Sequence, residues 1–148
     1  MRRLDCHDRI KRVKGRLEAA LQTVQALRDL GAQQPQYLYR YHLDLAVIRA
    51  LDTELRDVYF VRMFACFESS LRHYWQAEVR DTRPPTEVLL SSIAVRCGVP
   101  QGILDAVQEI RDFRNHLIHE EHQVTRRFTM DDAMRQLNTY LARLPLKW

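Results

Sequence analysis

The hydrophobic positions of this chain recur mostly every three or four residues, which is the spacing of one face of an α-helix. A first stripe crosses residues 5–30, and Gly31 follows it as a predicted helix stop. A second helix is predicted over Tyr37–Leu51, and Asp52 or Thr53 is the candidate cap of a third. One long kinked helix over both segments is the alternative. The first stripe consists of Ile10, Val13, Leu17, Leu21, Val24 and Leu27.

The third predicted helix carries the densest apolar face and ends near Arg80. Asp81–Pro85 interrupts the pattern, and a short helix over Glu87–Cys97 ends at Gly98. Apolar residues then follow helical spacing again as far as Leu117. The apolar face of the third helix consists of Phe60, Phe64, Phe67, Leu71 and Trp75.

A polar loop over His122–Arg127 precedes the last predicted helix, which Thr129 caps and which runs to Leu144. Glycine and proline are scarce, with four and five residues respectively. The pattern therefore predicts an all-α antiparallel bundle of about five to six helices. At 148 residues and 46% hydrophobic content, residues 1–148 are expected to form a single domain.

The chain shows no apolar run long enough for a membrane span, and its charged start does not resemble a signal peptide. We therefore expect a cytoplasmic protein that does not associate with membranes. The three cysteines include no Cys-x-x-Cys pair, so we expect them to be reduced and mostly buried.

The net charge of +4 is concentrated in the first helix, residues 1–31. Residues 1–17 alone hold seven basic and two acidic side chains, a surplus of +5. Such a basic helix could steer RNA or another anionic surface. The alternative is an ordinary solvated helix face. The candidate steering residues are Arg9, Lys11, Arg12, Lys14 and Arg16.

The residues best suited to phosphate chemistry lie in the segment Arg114-Asn115-His116-Leu117-Ile118-His119. An arginine can hold a phosphate through two parallel hydrogen bonds, and a histidine can exchange protons near neutral pH. Three Arg-x4-His pairs occur in the chain, but only Arg114 and His119 have an asparagine directly after the arginine. We therefore take Arg114, Asn115 and His119 as the candidate catalytic residues. The alternative is an exposed helix end with ordinary charges.

In a regular helix Arg114 and His119 are about 140° apart, so one chain would present them poorly to one phosphate. Either the helix loosens before His119, or two chains meet at a two-fold axis and supply complementary groups. The second alternative predicts a homodimer and is our working hypothesis.

Glu68 falls beside the aromatic face of the third helix, where a carboxylate needs a partner. We expect it to support the site by pairing with Arg114 or Arg111, although it could also reach solvent at the helix edge. Arg111 and His116 form a second Arg-x4-His pair and are reserve candidates. The run His119-Glu120-Glu121-His122 lacks the spacing of a zinc-binding His-Glu-x-x-His motif, so no metal or other cofactor is predicted.

The segment from Arg114 to His119 resembles the Arg-x4-6-His signature of HEPN domains, with asparagine directly after the arginine. A long helix like Val58–Glu78 before the motif and a helix like Met130–Pro145 after it resemble small stand-alone bacterial members. The resemblance covers about residues 50–145 and is specific only at the motif.

Such domains are commonly homodimeric, metal-independent endoribonucleases of toxin-antitoxin and defence systems. The resemblance implies that His119 acts as general base or acid, Arg114 stabilises the phosphorane and Asn115 orients the phosphate. It also implies RNA as substrate and an antitoxin or other protein as a further partner. The alternative is a non-catalytic HEPN-like module that binds RNA, nucleotide or a protein.

Overall fold

The computed structural model describes residues 1–119 and 126–148, and this part of the chain is built from α-helices. It contains no β-strand, only an isolated bridge between Arg2 and Lys147. The predicted all-α helical bundle is therefore confirmed. The described residues form six helices, namely α1 (Arg3–Gln33), α2 (Pro35–Arg40), α3 (Leu45–Glu78), α4 (Thr86–Cys97), α5 (Gln101–His119) and α6 (Met130–Leu141).

The two longest helices, α1 and α3, pack against each other in opposite directions. Near the end of α1, the Arg28 side chain donates hydrogen bonds to the backbone carbonyls of Ile48 and Arg49, close to the start of α3. Near the start of α1, Cys6 and Ile10 are buried in the same apolar core as Leu71 in the second half of α3. The first helix therefore lies along most of α3.

The main core lies where α4, α5 and α6 join the second half of α3 and the start of α1. All five residues of the predicted apolar face of α3 are buried there, which confirms that face. On α5 the buried residues are Leu104, Val107, Ile110 and Phe113, while the predicted Leu117 is only partly buried. A second, smaller apolar cluster forms around Val24, Leu38 and Ile48.

The predicted helix stop at Gly31 is wrong, because α1 continues to Gln33. Gly31 is buried within the helix, and α2 packs directly against it. A Cβ atom added at Gly31 would lie 2.7 Å from Leu38 Cδ1. The glycine therefore serves a close approach between two helices here, not a change of chain direction.

The predicted boundary between the second and third helices is also wrong. The break lies at residues 41–44, where Asp44 accepts a hydrogen bond from the Ala46 amide at 2.7 Å and caps α3. Asp52 and Thr53 consequently lie inside α3. Asp52 instead accepts a hydrogen bond from Arg56 one turn later, at 3.0 Å.

Two helix boundaries match the local signals of the sequence. Gly98 adopts a left-handed conformation with φ of 63° and ends α4. Thr129 accepts a hydrogen bond from the Asp132 amide at 3.1 Å and caps α6. Of the predicted loop over His122–Arg127, residues 122–125 lie outside the described part of the chain.

Candidate functional site

Glu68 is the centre of a charged network between α3, α4 and α5. Its Oε2 accepts a hydrogen bond from Arg114 Nη2 at 2.8 Å, and its Oε1 accepts one from Arg72 Nη2 at 2.6 Å. The Thr86 hydroxyl also donates to Oε1, at 2.8 Å. Glu68 and Arg114 are only 16% and 19% exposed, so this is a largely buried ion pair. The predicted pairing of Glu68 with Arg114 is confirmed.

The network keeps Glu68 ionised. Burial by itself raises the pKa of this carboxyl, but hydrogen bonds from Arg72 and Thr86 and the charges of Arg72 and Arg114 outweigh it. The pKa of Glu68 is therefore lowered from its ordinary value. Two guanidinium groups share one carboxylate, so the cluster of Glu68, Arg72 and Arg114 carries a surplus of one positive charge.

Arg114 is fixed by three different groups. Besides the bond to Glu68, its Nη1 donates to Asn115 Oδ1 at 2.9 Å. Its guanidinium carbon lies 5.0 Å from the centre of the Phe64 ring, a cation–π distance. A guanidinium carries five N–H groups, and these contacts use two of them. The remaining three suit an anionic ligand.

His119 is exposed at the last residue of α5. Because α5 is helical through His119, the helix does not loosen before it, and that alternative is wrong. In such a helix Arg114 and His119 are separated by about 140° around the axis and about 7.5 Å along it. The two side chains of one chain therefore leave the helix in different directions. The homodimer, the other alternative, stays a prediction.

Of the reserve residues Arg111 and His116, Arg111 pairs with acidic residues other than Glu68. Arg111 forms ion pairs with Glu87 at 3.1 Å and with Asp112 at 2.7 Å, and its side chain is 16% exposed. The alternative pairing of Arg111 with Glu68 is therefore wrong. His116 is half-buried and makes a contact of its own.

The candidate steering residues of α1 do not share one face. With about 100° per residue, Arg9, Arg12 and Arg16 lie on one side of the buried stripe, and Lys11 and Lys14 lie on the other. Lys14 is further compensated by Asp131 at 2.6 Å and Glu18 at 3.4 Å. Lys11, Arg12 and Arg16 are exposed. Any steering by α1 would therefore come from two separate edges.

Two members of the Glu68 network were not among the sequence candidates. Arg72 follows Glu68 by four residues on α3, and that spacing is itself a signal for an ion pair on one helix face. Thr86 belongs to the first turn of α4, and no local pattern links it to Glu68. The sequence could therefore have indicated Arg72 but not Thr86.

Over residues 1–119 and 126–148, no three His, Cys, Asp or Glu side chains are grouped so that they could hold a metal ion. The run from His119 to His122 lies mostly outside this part of the chain. Cys6 is buried, Cys66 and Cys97 are half-buried, and all three are free thiols. Among the described helices, none is long and apolar enough to cross a membrane.

Comparisons with protein-family models, with curated proteins and with solved structures found no match for this chain.

Proposed function

We propose that this protein is a metal-independent endoribonuclease of the HEPN type that works as a homodimer. The observation that carries the proposal is the anchored arginine: Arg114 is held by Glu68, Phe64 and Asn115 and keeps N–H groups for a ligand. An arginine fixed in advance loses little conformational freedom when it binds a phosphate. His119 on the same helix supplies an exposed group that can exchange a proton.

In the proposed reaction, the RNA 2′-hydroxyl attacks the adjacent phosphorus and loses its proton to a base. The bond from phosphorus to the 5′-oxygen breaks, and this leaving oxygen gains a proton. The products are a 2′,3′-cyclic phosphate and a 5′-hydroxyl. His119 acts as base or acid, Arg114 stabilises the negative charge of the phosphorane, and Asn115 orients Arg114 or the phosphate.

The helix geometry of the site supports the proposed homodimer. Arg114 and His119 of one continuous helix diverge by about 140°, whereas two chains related by a two-fold axis can bring unlike residues together. In this proposal, Arg114 of one chain and His119 of its partner serve the same phosphate. A cytoplasmic toxin or defence component, controlled by an antitoxin or other protein, is the setting that we propose, and the three free thiols suit it.

The proposal is tested by incubating a labelled mixed RNA with purified protein in EDTA and identifying the ends of the products. Wild-type protein should yield cyclic phosphate ends, and His119→Ala should lose the activity while keeping its fold and oligomeric state. His42→Asn is the matched control, because His42 is exposed in the turn between α2 and α3, and asparagine tolerates its φ of 53°. Equal activity of wild type and His119→Ala would refute the assigned role.

A second candidate is a non-catalytic module that binds RNA, nucleotide or a protein. The observation that favours it is that Glu68 already compensates the charge of Arg114 within the chain. Such a module would bind RNA with a salt-dependent affinity that His119→Ala leaves unchanged, and it would produce no cleavage. Parallel binding and cleavage measurements on the same proteins therefore separate the two candidates.

A further inference from the structure

A groove of about 760 Å³ lies next to Glu68, between α3 and the segment that leads into α4. One wall is formed by Ser69, His73 and Gln76, which share a face of α3. The opposite wall contains Arg83. Glu68 is part of the lining, and its second carboxylate oxygen is paired with Arg114 of the candidate site. The groove therefore adjoins that site at Glu68.

The wall that contains Arg83 is fixed to α3 on both sides of this residue. Trp75 Nε1 donates to the Thr82 hydroxyl at 3.0 Å, and Arg72 Nη1 donates to the Pro84 carbonyl at 3.1 Å. Arg72 is itself held by Glu68, so the groove and the candidate site share one support. The backbone on either side of Arg83 is thus positioned before any ligand binds.

Three polar side chains along the groove have no partner within the fold. Arg83, His73 and Gln76 are exposed, and none of them forms a hydrogen bond or ion pair with another residue of the described chain. Glu68 and Arg72 also line the groove, and their opposite charges compensate each other. Arg83 therefore gives the lining a surplus of one positive charge. An arginine with no internal partner, opposite an amide and an imidazole, suits a ligand that offers both a phosphate and hydrogen-bonding base edges.

We propose that this groove binds the single-stranded RNA segment next to the scissile phosphate, with Arg83 contacting a backbone phosphate. This inference rests on the proposed function and extends it to a substrate class. An unpaired strand exposes its phosphates and base edges together, whereas the base edges of a duplex are paired. The side chains of His73 and Gln76 would face the nucleotide that Arg83 holds.

The test measures the affinity of a fluorescent single-stranded RNA of about ten nucleotides by anisotropy over a series of salt concentrations. Arg83→Ala should bind roughly tenfold more weakly, and its salt dependence should fall by about 0.7 in log–log slope, the effect of one lost phosphate contact. Arg83→Lys should keep the slope because it keeps the charge. Thermal unfolding should be unchanged in both variants, since the exposed Arg83 side chain forms no hydrogen bond or ion pair within the described chain.

Arg49→Ala is the matched control, because Arg49 is also exposed and lies on α3 about 30 Å along the helix from Ser69. It removes the same charge and should leave both affinity and slope unchanged. Three results would overturn the groove assignment. These are an equal loss of RNA affinity in Arg83→Ala and Arg49→Ala, no loss of affinity in either variant, and no RNA binding by the wild-type protein.

Cleavage of the same RNA in EDTA is measured separately and distinguishes the two proposals. If Arg83→Ala changes neither cleavage nor RNA binding, the proposed role of the groove is refuted, while the proposed nuclease activity is supported. Binding that depends on Arg83 without any cleavage supports the groove and refutes the nuclease.

Discussion

Glu68 and Arg114 are 46 positions apart in the sequence, and their side chains meet at 2.8 Å in a largely buried ion pair. Removing one partner of such a pair leaves the other charge uncompensated in a partly desolvated place, which is more costly than the pair itself is stabilising. Glu68 is also the one carboxylate that Arg72 and Thr86 share with Arg114. Substitutions at Glu68 therefore affect both the fold and the candidate site.

The variant Glu68→Gln is expected to lower the free energy of unfolding by about 2 kcal/mol, because both Arg72 and Arg114 lose their counter-charge. Cleavage should fall by about tenfold, because Arg114 loses the charged one of the three groups that hold it. Urea denaturation and RNA cleavage measure the two effects. Glu109→Gln on the exposed side of α5 should change neither, and full activity of Glu68→Gln would exclude a positioning role for Glu68.

The stabilisation by Glu68 should depend on pH in a defined direction. The pKa of Glu68 is lowered in the folded protein relative to its ordinary value of 4.5. As the pH falls, Glu68 is therefore protonated in the unfolded chain at a higher pH than in the folded protein. The contribution is fully present well above pH 4.5 and is lost as the pH falls through the lower, folded pKa. The difference in unfolding free energy between wild type and E68Q should therefore be constant near neutral pH and shrink in acid. A difference that grows as the pH falls below 4.5 would contradict the pKa assignment.

The variant Tyr140→Phe tests the core beneath the site. The Tyr140 hydroxyl donates to the Leu90 carbonyl at 2.7 Å and is fully buried, and burial raises the pKa of this phenol. Removing the hydroxyl removes one buried hydrogen bond, while the Leu90 carbonyl keeps its bond within α4, so unfolding should become easier by about 1 kcal/mol. Chemical denaturation measures this change. Tyr39→Phe, at an 81% exposed position, should have no effect, and equal stability of both variants would argue against the buried hydrogen bond.

Features that depend on neighbours along the chain could be predicted from the sequence. The apolar face of α3 follows from helical spacing, and Gly98 and Thr129 act through conformation and hydrogen bonds within a few residues. The pairing of Glu68 with Arg114 was also predictable in outline, because a carboxylate beside an aromatic face needs a cationic partner.

Apart from the Glu68–Arg114 pair, features that depend on contacts between helices could not be predicted in this way. Gly31 leaves room for Leu38 of α2, and this close approach leaves no mark in the local pattern of α1. Thr86 joins the Glu68 network only because α4 packs beside α3. In contrast, the placement of Arg12 and Lys11 on opposite sides of the buried stripe of α1 follows from helical spacing. Counting charges along the sequence did not show this separation.

The central claim is that Arg114 and His119 from two chains act on one RNA phosphate. It is tested most directly with the variants Arg114→Ala and His119→Ala, each of which should be inactive alone. The two are mixed and allowed to exchange subunits, and cleavage is then measured in EDTA. A mixed dimer would then contain one composite site with both residues intact, so the mixture should recover about a quarter of wild-type activity and yield cyclic phosphate ends. A mixture as inactive as its components, beside an active wild type, would contradict the shared site.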